Sequence, residues 1–130
     1  LIITTGYVSR AYAQNYIAYL ANTLMENDFW KNQIEQINVT PDLGIELVPR
    51  VGNHIVYIGQ LPKCNDKNLR GKEIKNFVDK KLNRLRKFYL YGLSQAGWNK
   101  YSYINLEFDN QIICKKRSLK KTETRTENVI

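Results

Sequence analysis

Histidine occurs once and cysteine twice in these 130 residues, and neither falls in a pattern that site chemistry requires. Cys64 and Cys114 make no CxxC pair and no Cys/His cluster, so neither a metal nor a redox site is expected. His54 stands beside a hairpin turn with no GxSxG, HExxH or nucleophile motif near it, and reads as a polar turn residue. Gly6, Gly44, Gly52, Gly59 and Gly71 form neither a GxGxxG nor a phosphate-binding loop, and the acids are scattered beside Lys and Arg as on a solvated surface. Catalysis therefore has no candidate residues, and no cofactor or small-molecule substrate is expected. No run of about eighteen apolar residues is present, and the first residues lack the basic end and apolar stretch of a signal peptide. The chain opens on Leu1-Ile2-Ile3 without an initiator Met, which leads us to expect a longer polypeptide upstream. Internal repeats and low-complexity blocks are also absent.

What the chain does have is apolar material for one core. With 43% hydrophobic and 12% aromatic residues, residues 1–116 suffice for a single domain. Cys114 fits that core as a small hydrophobe, and a disulfide to Cys64 stays open. The net charge of +8 is unevenly distributed. Residues 1–62 carry −2, residues 63–87 carry +7 and residues 115–130 carry +4, so the basic character belongs to one helix and one tail. Lys75, Lys80, Arg84 and Lys87 share the polar face of that helix. Such a face suits an anionic lipid surface or nucleic acid, but no nucleic-acid module signature accompanies it and nucleic acid is not the expected partner.

Spacing predicts a helix from an N-cap at Ser9 to about Asn27, with Ala13, Tyr16, Ile17, Leu20 and Leu24 along one stripe. Strands follow at Ile34–Thr40, Ile45–Pro49 and His54–Gly59, separated by a Pro41-Asp42 turn and a Gly52-Asn53 hairpin. Asn38-Val39-Thr40 matches a glycosylation acceptor but falls inside a strand. Residues 60–71 read as a polar loop, and Lys72–Ala96 as a long amphipathic helix stopped by Gly97, with Ile74, Phe77, Val78, Leu82, Leu85, Tyr89 and Leu93 inward. A terminal hairpin comes next, and residues 117–130 form a basic tail expected to be disordered. The order predicts an α+β domain: a mainly antiparallel sheet packed against two helices, ending in a hairpin with an open terminal edge strand.

That edge is the strongest functional signal. In Tyr103–Lys116, Ile104, Leu106 and Phe108 alternate with polar residues, whereas the second strand is apolar on both sides. With Asp109-Asn110 as a two-residue turn, Phe108 pairs with Gln111 and Leu106 with Ile113. Ile113 then faces the core, and Ile112 and Cys114 share the face of Glu107 and Asn105; a three-residue turn swaps the faces. The second apolar face is either covered by a helix or the chain's own tail, or is a docking surface, since a terminal strand with unpaired backbone groups is a template for a strand of another chain.

The order of a hairpin ending at Ile58-Gly59, a helix containing Lys81-Leu82-Asn83-Arg84-Leu85-Arg86-Lys87-Phe88-Tyr89, and the stretch Tyr101 to Ile113 resembles the extracytoplasmic β domain of the FtsQ/DivIB cell-division family, in its Bacteroidetes-like form. The resemblance implies a bitopic inner-membrane protein with a transmembrane helix and a POTRA domain upstream and this domain in the periplasm. It also implies a non-enzymatic divisome scaffold that joins FtsB and FtsL and controls septal peptidoglycan synthesis, with an FtsB strand added to the last strand of the domain. By this likeness Phe108 stands where relatives carry Tyr before an Asp-containing turn, Asp109 matches that Asp, and Gln111, Ile112, Ile113, Cys114, Lys115 and Lys116 form the partner-pairing strand. Lys116 departs from a Trp found near there in some relatives. Trp98 and Tyr101 are the remaining expected contributors to the interface.

Overall fold

Two short segments of apolar chain return to lie parallel to an earlier strand, and each return requires a helix. In the computed structural model, which describes residues 2–50, 52, 54–93, 100–116 and 125–128, the sheet runs β1 (Ile3–Gly6), β2 (Ile34–Val39), β3 (Gly44–Pro49), β4 (Ile55–Gln60), β5 (Tyr101–Asn105), β6 (Ile113–Lys116) and β7 (Arg125–Asn128), side by side in chain order. β1 is parallel to β2 and β4 to β5, while the other four neighbouring pairs are antiparallel. A parallel pair needs a crossover. The first is α1 (Arg10–Tyr12), a π turn at Ala13–Ile17 and α2 (Ala18–Glu26); the second is α3 (Lys67–Phe88), continued by a π turn at Tyr89–Leu93. β1 and β4 point the same way and step the same way across the sheet, so the right-handed crossover rule puts both helices on one face.

Burial follows that rule. Ile37, Val39, Ile45, Leu47, Val56, Ile58, Ile104 and Cys114 are buried on the helix side with Leu20, Leu24, Ile74, Val78, Leu82 and Leu85. Gln36, Asn38, Glu46, Val48, Ile55, Tyr103, Asn105 and Ile113 alternate with them and are half-buried. The chain is α+β and its sheet is mainly antiparallel, with the two parallel pairings as the exceptions.

Caps fix the helix starts. Ser9 Oγ accepts from the Tyr12 N–H at 3.1 Å, as expected of an N-cap. Asp66 does the same for α3, accepting from the Asn68 N–H at 2.9 Å, so this helix begins five residues before the expected Lys72. The Lys-Asn-Gly composition of 60–71 masked the cap, and Gly71 lies inside the helix. After α2, Asn27 Oδ1 accepts from the N–H groups of Phe29 and Trp30, which turns the chain and drives Trp30 into the core at 2% exposure. Gly52 adopts φ +90°, consistent with the expected hairpin, while its neighbour Asn53 lies outside the described residues.

Three further expectations need correction. His54, expected as a polar turn residue, instead packs into the core, where its Nε2 shares a 2.7 Å hydrogen bond with the hydroxyl of Tyr89. The hairpin has neither a two- nor a three-residue turn, because residues 106–112 form a seven-residue loop. Its register sets Cys114 opposite Ile104 and Ile113 opposite Asn105, so Cys114 and Ile112 go to the core. Third, the tail is not wholly without structure: β7 takes the outer edge of β6, which is therefore not open. Cys64 and Cys114 remain thiols and form no disulfide with each other, and Cys114 is fully buried.

Burial holds the Tyr89 phenol far above its ordinary range, and burial with the Glu46 hydrogen bond does the same for Tyr103. Above about pH 10 an unfolded chain loses phenolic protons that the folded one keeps, so stability is present below that pH and falls as pH rises. The slope from the buried Tyr89 alone is about 1.4 kcal/mol per pH unit. Denaturation curves across this range are expected to steepen less for Tyr89→Phe; an identical pH slope in the variant would refute the assignment.

Candidate partner interface

The long loop between β5 and β6 keeps its shape through α3. Lys81 Nζ donates to the carbonyls of Leu106 at 2.7 Å and Glu107 at 3.0 Å. One turn along, Arg84 donates to Leu106 O and Gln111 O, both at 3.1 Å. The loop also ties itself down, since Asn105 Oδ1 accepts from the Glu107 N–H at 2.8 Å and the Leu106 N–H reaches Tyr57 O at 2.8 Å. Two cations thus satisfy carbonyls at both ends of the loop and carry β6 into register. Burial lowers the Lys81 pKa, as does the nearby Arg84 guanidinium, and Asp109 at 3.9 Å opposes the shift.

This distributes the expected interface residues unequally. Ile113, Lys115 and Lys116 lie in β6 itself. Ile113 is half-buried and Lys115 exposed, both on the sheet face away from the helices, where Lys115 Nζ sits 5.1 Å from the Tyr103 ring centroid. Cys114 and Ile112 are in the core, and Tyr101 is buried beside Phe88 with ring centroids 6.3 Å apart. Gln111 lends its carbonyl to Arg84. Phe108, at 45% exposure, and Asp109 cap the outside of the loop, where Asp109 stands 3.8 Å from Lys80. Trp98 lies outside the described residues.

The basic face is broken up by these contacts and by pairing within the helix. Arg84 is half-buried and engaged with the loop, Lys75 pairs with Asp79 at 3.0 Å, and Lys80 with Asp109. Lys87 remains exposed on the helix surface.

Lys81 escaped notice in the sequence because one of two adjacent lysines looks like surface. The signal was its place three residues after Val78 on the apolar stripe, where a cation is buried and must find acceptors. A polar relay across the uncovered sheet face also went unread. Gln36 donates to Thr5, Thr5 to Asn38, Asn38 to Glu46 at 2.8 Å, and the Tyr103 hydroxyl to the other Glu46 oxygen at 2.8 Å. It joins four strands and needs the register of each, which spacing alone does not give.

Among the described residues no three His, Cys, Asp or Glu side chains group closely enough to hold a metal ion, and no helix is long and apolar enough to cross a membrane. The geometry is that of a sheet finished by a clamped loop and a strand able to pair on both edges. No curated protein matches the chain. The family model described as FtsQ/DivIB, C-terminal related, matches residues 1–115, from before β1 into β6, and the chain belongs to this family of cell-division proteins.

Proposed function

We propose that this domain is a non-catalytic divisome scaffold that binds an FtsB/FtsL-like partner by β-strand addition at the C-terminal end of its sheet, linking early division proteins to septal peptidoglycan synthesis. The observation that carries this reading is that β6 accepts a further antiparallel strand along its outer edge over all four of its residues. An edge that pairs with one polar segment has its N–H and C=O groups aimed outward and spaced for another. The family matched is one of membrane-anchored proteins with an extracytoplasmic domain. In this reading the domain stands on the periplasmic side of the inner membrane, held by a helix upstream. Ile113 and Lys115 offer side-chain contacts, and the core residues Ile112 and Cys114 contribute rigidity and backbone groups.

The test is binding of the wild-type chain and Ile113→Pro to extracytoplasmic FtsB/FtsL-like segments. A ladder interface is expected to keep its affinity within about threefold from 0.1 to 1 M salt, whereas contacts to the basic helix weaken steeply. Amide exchange on the complex is expected to slow at residues 113–116 and not along α3, which reads the site without a mutation. Protection confined to α3, or unchanged binding by folded Ile113→Pro, would refute strand addition here.

A further inference from the structure

We propose that β7 is a displaceable cover on β6, a strand of the chain's own tail that holds the partner's place and is exchanged for it. The proposal rests on the reading of β6 as the partner strand. Three observations carry it. The family match ends at residue 115, so β7 lies beyond the part of the chain that the family model covers. β7 is Arg-Thr-Glu-Asn, without one apolar residue, and it is paired with β6 by a four-residue backbone ladder. Its register is poor as well: Arg125 is set opposite Lys116, two residues of like charge, and Glu127 opposite Cys114, the one fully buried position of β6.

A covering strand with these properties protects the edge without sealing it. Only eight residues, 117–124, join it to β6, which gives a tethered strand an effective concentration on the order of millimolar. That is enough to occupy the edge and to block pairing between copies of the chain. It is too little to resist a strand that places an apolar residue at the register position opposite Cys114, the buried residue of β6. The partner chemistry that fits is therefore an extended segment with an apolar residue at that register position and polar or acidic residues opposite Lys115 and Lys116.

Two substitutions in the full chain move the cover in opposite directions. Thr126→Pro with Glu127→Pro removes β7 from the ladder, because one of two successive N–H groups must face β6. Glu127→Val strengthens it. In wild type, the β6 amides that face β7 are expected to exchange at least ~100-fold faster than those of β3 and β4, faster still in the double proline variant, and about tenfold slower in Glu127→Val. Exchange of those β6 amides as slow as in β3 would make β7 an integral strand and overturn the proposal. In titrations with the FtsB/FtsL-like segment, the double proline variant is expected to bind about tenfold tighter than wild type and Glu127→Val about tenfold weaker. Equal affinities, or weaker binding by the proline variant because the segment docks on β7 instead, would also overturn it. A segment that binds none of the three chains defeats the reading of β6 as the partner strand, and the exchange experiment then decides by itself whether β7 is a cover.

Discussion

Lys81→Glu is expected to destabilise the domain by about 3–5 kcal/mol, the range for an uncompensated buried charge. The Lys81 side chain is 4% exposed and its ammonium lies within 3.0 Å of two carbonyl oxygens, with Asp109 as the nearest carboxylate. A carboxylate there faces two carbonyl oxygens and Asp109 at close range, and the Arg84 guanidinium nearby is already committed to the Leu106 and Gln111 carbonyls. The carboxylate escapes by taking up a proton, at about 1.4 kcal/mol for each unit its pKa rises. The sign of the pH dependence follows: its folded pKa lies above the unfolded one, so the destabilisation is full at neutral pH and shrinks as pH falls toward the ordinary glutamate range. Lys81→Met tests the opposite side of the balance. It leaves one carbonyl to solvent and the other to Arg84 while removing a costly buried cation, so a loss of only about 1–2 kcal/mol is expected. With roughly 3–5 °C of Tm for each kcal/mol in a domain of this size, thermal unfolding separates the two variants. Equal effects of Glu and Met would show that the clamp acts by packing and not by charge.

That clamp marks where sequence reasoning stopped. Each long element announced itself through one local code: Ser9 as a cap, the Ile74-Val78-Leu82-Leu85 stripe, and the alternation of Ile45-Glu46-Leu47. β1 and β7 carry almost no such code. Ile3-Thr4-Thr5 is short and mostly exposed, and Arg125–Asn128 is entirely polar. Both are strands because a neighbour offers a free edge, a property of the assembled sheet and not of the four residues. The parallel pairings were hidden for the same reason, since only the two helical crossovers, once placed on one face, decide them.

The hairpin register was open between two face assignments, and tertiary contacts decided it. Arg84 and Lys81 hold Leu106, Glu107 and Gln111 out of the ladder, which lengthens the turn to seven residues and sends Cys114 inward. A turn signal at Asp109-Asn110 is real, yet Asp109 serves Lys80 and Lys81 and not a tight two-residue loop. Of the expected interface, the strand segment and its family were legible; the strand on its outer edge was not, because a polar tail has no pattern to read.

The opposite edge of the sheet supplies the second large effect. Gly6→Ala is expected to cost about 3 kcal/mol, more than the roughly 1–2 kcal/mol of the left-handed backbone by itself. Gly6 ends β1 at φ +95°, and the Tyr7 N–H that follows donates to Val39 O at 3.0 Å. A β-carbon there would collide with the Val39 carbonyl oxygen and come within 2.9 Å of its nitrogen and 2.8 Å of Asn38 Oδ1. Backbone of a central strand cannot yield as a side-chain tip can, so β1 must move instead. The displacement breaks the Thr5 to Asn38 link of the polar relay and shifts the entry to α1. Thermal unfolding is expected to fall by about 10 °C, with amide protection lost along β1 and kept at β6. Protection lost at both edges would mean that the relay couples them, and Gly6→Ala would then also weaken the partner binding proposed for β6. Unchanged stability would show that β1 can leave β2 at no cost and plays no part in holding the sheet.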